Sequence, residues 1–461
     1  MKYLSTRGSE KNVSFRNVLL NGLASDGGLY VPEKIPSFSK QQILKFKTLT
    51  YYELAYEVTK SFVLPDISNK RYFEICKKTY DNFSDKEVLS IDNLNSNEYL
   101  LNLFHGPTLA FKDFALQLLG NIYDYFLKKE NINVTIIGAT SGDTGSAAIS
   151  GCLKSDLIKM FIFFPYKKVS EIQRRQMTTV LNPKLFKIAV KGNFDDCQNL
   201  VKSLFENNKK RKSQKFAAVN SINWVRIMGQ IVYYFWSYLN CSNKFELVNF
   251  IVPTGNFGNV YAGFISKKMG LPINKLVVAS NSNDVLTRFF ETGKMEMHQT
   301  IKTLSPSMDI QISSNFERLL FFYLKKKKDG VSKLYSNLKK NKKFIVEKDI
   351  LVKILNEFVG GRVDDVKTKD TILEIYKKFK IVLDPHTAVG VRVGREKTHN
   401  KEKNIFLATA HYGKFMNTIE ISLKKKIELP HKLRELLTKK EQFEIFENNL
   451  EQIEMYILGN S

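Results

Sequence analysis

Cysteine is scarce: four residues in 461, at Cys76, Cys152, Cys197 and Cys241. They stand far apart, and no pair has C-x-x-C or metal-ligand spacing. That excludes a disulfide scaffold and fits free, mostly buried thiols in a reducing compartment. Histidine is sparse too, with six residues and no H-E-x-x-H or related pattern, so no metal is expected. Long apolar runs are missing. Among the longest are Met160–Pro165 and Leu319–Leu324, far short of the roughly 20 residues a membrane-spanning helix needs. Met1–Asn12 has no apolar core of the secretory kind and no long Ser/Arg-rich leader, so the expectation is a cytoplasmic chain with no membrane partner.

Acidic residues are also in short supply. Against 71 Lys and Arg stand 46 Asp and Glu, a net charge of +25. Such a balance invites a nucleic-acid reading. The excess is mostly Lys, spread along the chain with short runs at Lys325–Lys328 and Lys424–Lys426. Solvated faces in a chain rich in Lys, Asn, Ile and Phe account for it better, and no nucleic-acid partner is expected. The field would still draw in an anionic substrate. Hydrophobic residues at 43%, aromatics at 12% and charged residues at 25% are globular values, which exclude a mostly disordered or collagen-like chain. At about 100–200 residues per domain, the length allows two or three domains.

Residues 1 to about 95 read as loops and short helices, with an amphipathic helix or helix pair over Ile43–Leu64 and strong turn chemistry at Asp26-Gly27-Gly28. From about residue 98 the pattern becomes regular. Short, nearly all-apolar segments at Val134–Ile137, Met160–Phe164, Lys184–Val190, Leu247–Val252 and Leu276–Ala279 suit buried strands. Helical spacing covers Ala147–Lys154, Asp196–Asn207, Trp224–Leu239 and Val260–Met269. Strands alternating with helices imply an α/β fold with parallel sheets covered on both faces. Residues 325–380 are Lys-rich and weakly patterned, as surface helices and loops are, and the last 35 residues look helical and peripheral.

Ligands in such folds bind at the carboxyl ends of strands, so three loops matter. Ala139–Ala148 places hydroxyls and backbone N–H groups at a helix start, a ready anion site. Pro253–Val260 carries glycines three apart at another helix start, where backbone can close around phosphate. It lacks the dinucleotide and Walker A patterns. Leu103–Phe114 sets Lys112 between Phe111 and Phe114. Burial there would depress its pKa and supply the neutral amine that Schiff-base chemistry requires. One phosphate nest and one such lysine are what pyridoxal phosphate needs.

On these strings the chain resembles the threonine synthases of the longer type, within the pyridoxal-phosphate enzymes similar to the tryptophan synthase β chain. The matching segments are Ser14–Glu33, Leu103–Gln117, Gly138–Ala148, Asn220–Ile227, Pro253–Gly263, Leu383–Gly390 and Ala408–Phe415, all in family order. The resemblance implies two parallel-sheet α/β domains plus an N-terminal extension. It divides the chain into an N-terminal region (1–95), a catalytic region (96–430) with a smaller nested α/β unit near 131–215, and a C-terminal helical tail (431–461). It implies conversion of O-phospho-L-homoserine and water to L-threonine and phosphate, by a monomer or homodimer carrying pyridoxal 5′-phosphate. Lys112 matches the lysine that bonds the cofactor and then moves protons. Gly255, Asn256, Phe257 and Gly258 match the cofactor-phosphate loop, and Thr409 the hydroxyl beside the pyridine nitrogen. Ser141, Gly142, Asp143 and Thr144 match the loop for substrate carboxylate, and Asn220, Ser221 and Arg226 the grip on substrate phosphate. A threonine dehydratase or cysteine synthase would share Lys112 and the glycine loop without needing Arg226 or Ser14–Glu33.

The chain departs from the family pattern at four positions. Thr254 and Asn259 stand where the phosphate loop usually has Ser and Asp, and Tyr412 and Gly413 where Pro and Ala are usual. Thr keeps a hydroxyl, and Asn removes a negative charge near phosphate. Thr409, His411 and Lys414 remain in place.

Overall fold

The computed structural model describes residues 1–81, 83, 88–211, 215–242, 244–324 and 329–460. Two sheets among these residues organise the chain. The larger runs, edge to edge, Phe358–Arg362, Ile273–Ser280, Val248–Pro253, Lys403–Ala408, Glu98–Asn102 and Ser90–Asn93. Its pairings are parallel except the last, where Ser90–Asn93 runs antiparallel to Glu98–Asn102. The smaller sheet runs Glu444–Glu447, Leu185–Lys191, Ile158–Pro165, Val134–Ala139 and Phe216–Ala217, parallel throughout. Parallel neighbours need crossovers, and helices supply them. That is why Val248–Pro253 is buried at every position rather than alternating.

Three helices meet where the two sheets adjoin: Lys112–Glu130, Asp143–Cys152 and Trp224–Cys241. Small residues set their spacing. A Cβ on Gly120 would lie 2.0 Å from the Gly151 carbonyl oxygen, and one on Gly229 would lie 2.8 Å from the Ala115 Cα. Backbone therefore touches backbone at both crossings, and any larger residue would push the helices apart. The close approach fixes the Asp143–Cys152 and Trp224–Cys241 helices against Lys112–Glu130. Trp224–Cys241 is the centre of the main core, with Trp224, Ile227, Met228 and Ile231 fully buried. Asn223 caps it, its Oδ1 accepting from the Val225 N–H at 3.1 Å.

The strands expected from apolar runs are all present: those at Val134–Ile137, Met160–Phe164 and Leu276–Ala279 run longer at one end or both, and those expected at Lys184–Val190 and Leu247–Val252 are shifted by one residue, to Leu185–Lys191 and Val248–Pro253. The Ile43–Leu64 stretch is a helix pair: Lys40–Lys45 and Tyr51–Val63 joined by a 3-10 turn. Three segments differ from expectation. The first 32 residues include a three-stranded antiparallel sheet of Lys2–Ser5, Val13–Ser14 and Tyr30–Pro32, too short to pattern. Within the Lys-rich 325–380 stretch, Phe358–Arg362 is an edge strand of the larger sheet. Its Gly360 and Gly361 erase the β signal, and they are there because Phe290 and Val393 press on that backbone. The C-terminal stretch, expected to be all helical, contributes Glu444–Glu447 to the smaller sheet. Helix Leu450–Gly459 then buries Ile453 and Ile457 beside Cys197 and Leu200. Lys325–Lys328 lies outside the described residues.

Candidate active site

A cavity opens at the carboxyl ends of strands from both sheets. Its wall includes Lys112, Asp143, Arg226, Gly255, His386 and Thr409. The starts of four helices face it: Lys112–Glu130, Asp143–Cys152, Trp224–Cys241 and Gly258–Lys268. Each start carries partial positive charge and free N–H groups, so the site favours an anion. Two other clefts, one around Tyr51 and Lys403 and one around Arg7 and Phe322, have no fully buried charged side chain among their lining residues.

Lys112 begins its helix directly after a loop zipped to the end of the Lys403–Ala408 strand. Phe111 N–H donates to the Thr409 carbonyl at 2.9 Å, and His411 N–H to the Leu109 carbonyl at 3.1 Å. Those bonds fix Lys112 beside Thr409. The Lys112 Nζ lies 3.6 Å from Asp143 Oδ2. Burial holds the Lys112 amine below the usual lysine range, against the pull of Asp143 and with the push of Lys414 and Arg226. Asp143 is 4% exposed, and its other oxygen takes Lys414 Nζ and Gln173 Nε2, each at 2.8 Å. Burial alone would raise this carboxyl; Lys414, Lys112 and these hydrogen bonds outweigh it and hold the group far below the ordinary carboxylate range.

Arg226 is 3% exposed. One of its terminal nitrogens donates to the Asn220 carbonyl at 3.3 Å. No carboxylate among the described residues pairs with it, and its Nε has no hydrogen-bond partner. Burial pushes it down to about 10. Asn259 Nδ2 is a second buried donor left without a partner on the same wall; the amide's orientation is fixed by its Oδ1, which accepts from the hydroxyls of Tyr233 and Tyr234 at 2.6 and 2.9 Å. A buried cation without a counter-charge, together with a spare amide, costs free energy unless an anion completes the set. The donor set fits phosphate oxygens.

The glycine loop is held from outside. The Gly255 carbonyl accepts from Ser313 Oγ at 2.8 Å, and the Asn256 carbonyl from Asn315 Nδ2 at 3.0 Å. Phe257 caps the following helix in the left-handed region, φ 61°. Pro306–Met308 crosses over this loop, so close that a Cβ on Gly255 would meet the Ser307 carbonyl at 2.6 Å. His386 anchors the crossing: its Nε2 accepts the Ser307 N–H at 3.2 Å while Nδ1 pairs with Asp384 at 2.8 Å. Asp384 also takes the Thr387 hydroxyl, whose oxygen accepts the Thr409 N–H at 3.2 Å.

Of the residues expected at the site, Lys112, Ser141, Asp143, Thr144, Ser221, Arg226, the Gly255–Gly258 loop and Thr409 line this one cavity. Gly142 and Asn220 do not. Gly142 sits behind the wall at φ 138°, against Gln173, and Asn220 meets the site only through Arg226, which donates to its carbonyl. Lys414, His386, Gln230 and the Pro306–Ile310 segment were given no role by the sequence. Lys414 and His386 stood inside quoted motifs. Pro306–Ile310 had only ordinary turn residues to mark it.

Comparison with known proteins agrees along the whole chain. The description "Threonine synthase N terminus" matches residues 2–80, "Pyridoxal-phosphate dependent enzyme" residues 87–409, and "Threonine synthase, C-terminal" residues 387–457. A threonine synthase of Pseudomonas aeruginosa is 45% identical over 459 residues, covering 99% of this chain and 98% of the relative. The crystal structure of pyridoxal-phosphate-bound threonine synthase from Brucella melitensis superposes with a TM-score of 0.96 at 42% identity, covering 100% of this chain and 99% of that one. The yeast enzyme superposes at 0.93 with 37% identity, covering 99% and 98%. With likeness of this degree running from the first strand to the last helix, the chain belongs to the threonine synthase family.

Proposed function

We infer that this protein converts O-phospho-L-homoserine and water to L-threonine and phosphate, with pyridoxal 5′-phosphate as its cofactor. The observation that carries the reading is the pairing, in one cavity, of the buried Lys112 amine with the unpaired Arg226 guanidinium. Lys112 would bond the cofactor, Gly255–Gly258 and Asn259 would hold its phosphate, and Thr409 would face its ring nitrogen. Asn259 supports this assignment, since its spare N–H donates where the aspartate usual in the family would repel.

Bound pyridoxal phosphate supplies an electron sink for negative charge developing at the substrate Cα. The rest falls to the chain. Ser141 and Thr144, at a helix start, take the substrate carboxylate. Arg226 and Ser221 grip the substrate phosphate, and a planar fork suits that task because it can hold two oxygens at once. This grip orients the Cγ–O bond and stabilises the leaving dianion. Lys112 is the base placed to take protons from Cα and then from Cβ, which lets the Cγ–O bond break, and to return protons to Cγ and Cα; burial holds its amine below the usual lysine range. Water then adds at Cβ and threonine leaves.

The reading includes a cytoplasmic enzyme, monomer or homodimer, with no nucleic-acid or membrane partner. Four buried free thiols support the compartment. Among the described residues no helix is long and apolar enough to cross a membrane. The test is phosphate release from phosphohomoserine by purified, cofactor-loaded protein, with threonine as co-product. Borohydride reduction and peptide mapping should then place the cofactor mass on the Lys112 peptide. No phosphate release, or ketoacid in place of threonine, would overturn the activity.

A further inference from the structure

Lys414 is the most deeply buried cation near the cavity, with its side chain 0% exposed, and the chemistry above does not use it. It is fixed at both ends. Its carbonyl accepts from Ser170 Oγ at 3.0 Å. Its ammonium donates to the Thr108 carbonyl at 2.8 Å and pairs with Asp143 Oδ1 at 2.8 Å. Thr108 is itself held, since Asp113 accepts its N–H at 2.8 Å and its hydroxyl at 2.7 Å. Asp143 therefore has one oxygen saturated by Lys414 and Gln173, and only the other turns to Lys112. A pair serving only to join the two sheets would need no third member. Here the carboxylate is shared between one fixed cation and one that must change its bonding.

We propose that Lys414 is a positioning residue for the reaction: it holds Asp143 as a carboxylate, with its free oxygen aimed at Lys112, so that a fixed negative charge stands beside the reacting amine. The proposal rests on the activity inferred above. The charged and titratable groups facing this cluster are Lys112, Arg226, Asp113 and His411. Burial lifts Asp113 to about 6 and pushes His411 down to about 4. Lys414 is the nearest cation to Asp143, so its removal exposes Asp143 to the upward push of burial.

The test compares Lys414→Met, Asp143→Asn and the double variant Lys414→Met/Asp143→Asn. Pyridoxal phosphate is titrated by absorbance, thermal unfolding of the cofactor-free protein is followed against pH, and kcat/KM is measured against pH. Lys414→Met strands a buried carboxylate. It should weaken cofactor binding at least fivefold, shift the absorbance maximum and move the acid limb of kcat/KM upward by a pH unit or more. The double variant replaces an ion pair by a neutral amide. It should bind cofactor more tightly than Lys414→Met and flatten the new acid limb, because neighbouring groups in one network are not additive. A Lys414→Met protein that merely melts earlier, with spectrum and pH profile unmoved, would overturn the proposal, as would a double variant worse than both single ones. Should Lys414→Met not fold, Lys414→Gln read against its own Asp143→Asn double carries the same comparison. Absence of phosphate release from the parent would sink the inferred activity, while the cofactor titration still decides the role of Lys414.

Discussion

Asn223 donates through Nδ2 to the Leu19 carbonyl at 3.0 Å while its Oδ1 caps the helix that carries Arg226. One side chain thus ties the N-terminal region to the start of the anion-facing helix. Arg318 makes a parallel tie: its Nε donates to the Tyr30 carbonyl at 3.0 Å and another of its nitrogens to the Ile222 carbonyl at 2.6 Å. The Ser14–Glu33 segment therefore buttresses the 220–226 turn from behind, which gives that string a physical task.

Asn223→Ala should lose both bonds. Losing an N-cap costs about 0.5–2 kcal/mol, and Tyr123, which also donates to the Leu19 carbonyl at 2.9 Å, keeps that oxygen satisfied. The expected result is a Tm lower by a few degrees together with a larger fall in kcat/KM for phosphohomoserine than in cofactor affinity. Thermal unfolding, absorbance titration and steady-state kinetics check it. Equal losses in substrate and cofactor handling would mean that the cap stabilises the fold without positioning Arg226.

Arg226→Lys keeps the charge and loses the planar fork. A hydrogen bond to a charged group is worth roughly 1.5–3 kcal/mol, and each 1.4 kcal/mol is about tenfold in rate. Activity toward phosphohomoserine should fall about ten- to a hundredfold in kcat/KM. The cofactor spectrum and Tm should barely move. Activity within about twofold of the parent would take Arg226 off the substrate.

The parallel sheets and the three loops were legible because buried strands and glycine turns leave local marks. Val248–Pro253 is apolar at all positions but Asn249 because both its faces are covered, and Phe257 sits at positive φ before a helix. What stayed hidden depended on contacts distant in sequence. Lys414 reads as one lysine among many until Asp143 and Thr108 are folded against it. His386 acquires a task only through Ser307, 79 residues away. Gly360 and Gly361 look like a loop because the side chains that need their space, Phe290 and Val393, lie on other elements.

His411 gives the pH dependence of stability a sign. Burial pushes its pKa down to about 4, against Asp384 and with help from Lys414 and His105. Its folded value thus lies below the ordinary 6.5. The unfolded chain binds the proton more tightly, so stability rises with pH across that interval. The contribution is complete above about pH 6.5 and is lost as pH falls toward about 4. His411→Gln keeps an acceptor for the Gly413 N–H, which His411 Nδ1 takes at 3.1 Å, and removes the titration. Urea unfolding between pH 4 and 7.5 should show a shallower acid decline in the variant than in the parent. Parallel curves would exclude His411 as the source.

His386 controls how the Pro306–Met308 crossing sits over the phosphate loop. The Ser307 N–H is a donor, so Nε2 must present its lone pair, and Nδ1 then carries the proton given to Asp384. This fixed tautomer links two ends of the cavity, since Asp384 also sets Thr387 and through it the Thr409 backbone. His386→Leu fills the ring's volume with an apolar group and strands the Ser307 N–H, while Asp384 keeps the backbone N–H groups of residues 386 and 387 and the Thr387 hydroxyl. Each net hydrogen bond is worth about 0.5–1.5 kcal/mol, and 1.4 kcal/mol is tenfold in affinity. Losing the Ser307 bond should therefore lower cofactor affinity about two- to tenfold. Because the loop it releases covers Gly255, the loss should fall on the cofactor's phosphate. Pyridoxal without its phosphate should bind parent and variant alike. Competitive absorbance titrations with both compounds decide the matter: if pyridoxal loses as much as pyridoxal phosphate, His386 shapes the ring end of the site through Asp384 and Thr409, and the crossing over Gly255 holds itself.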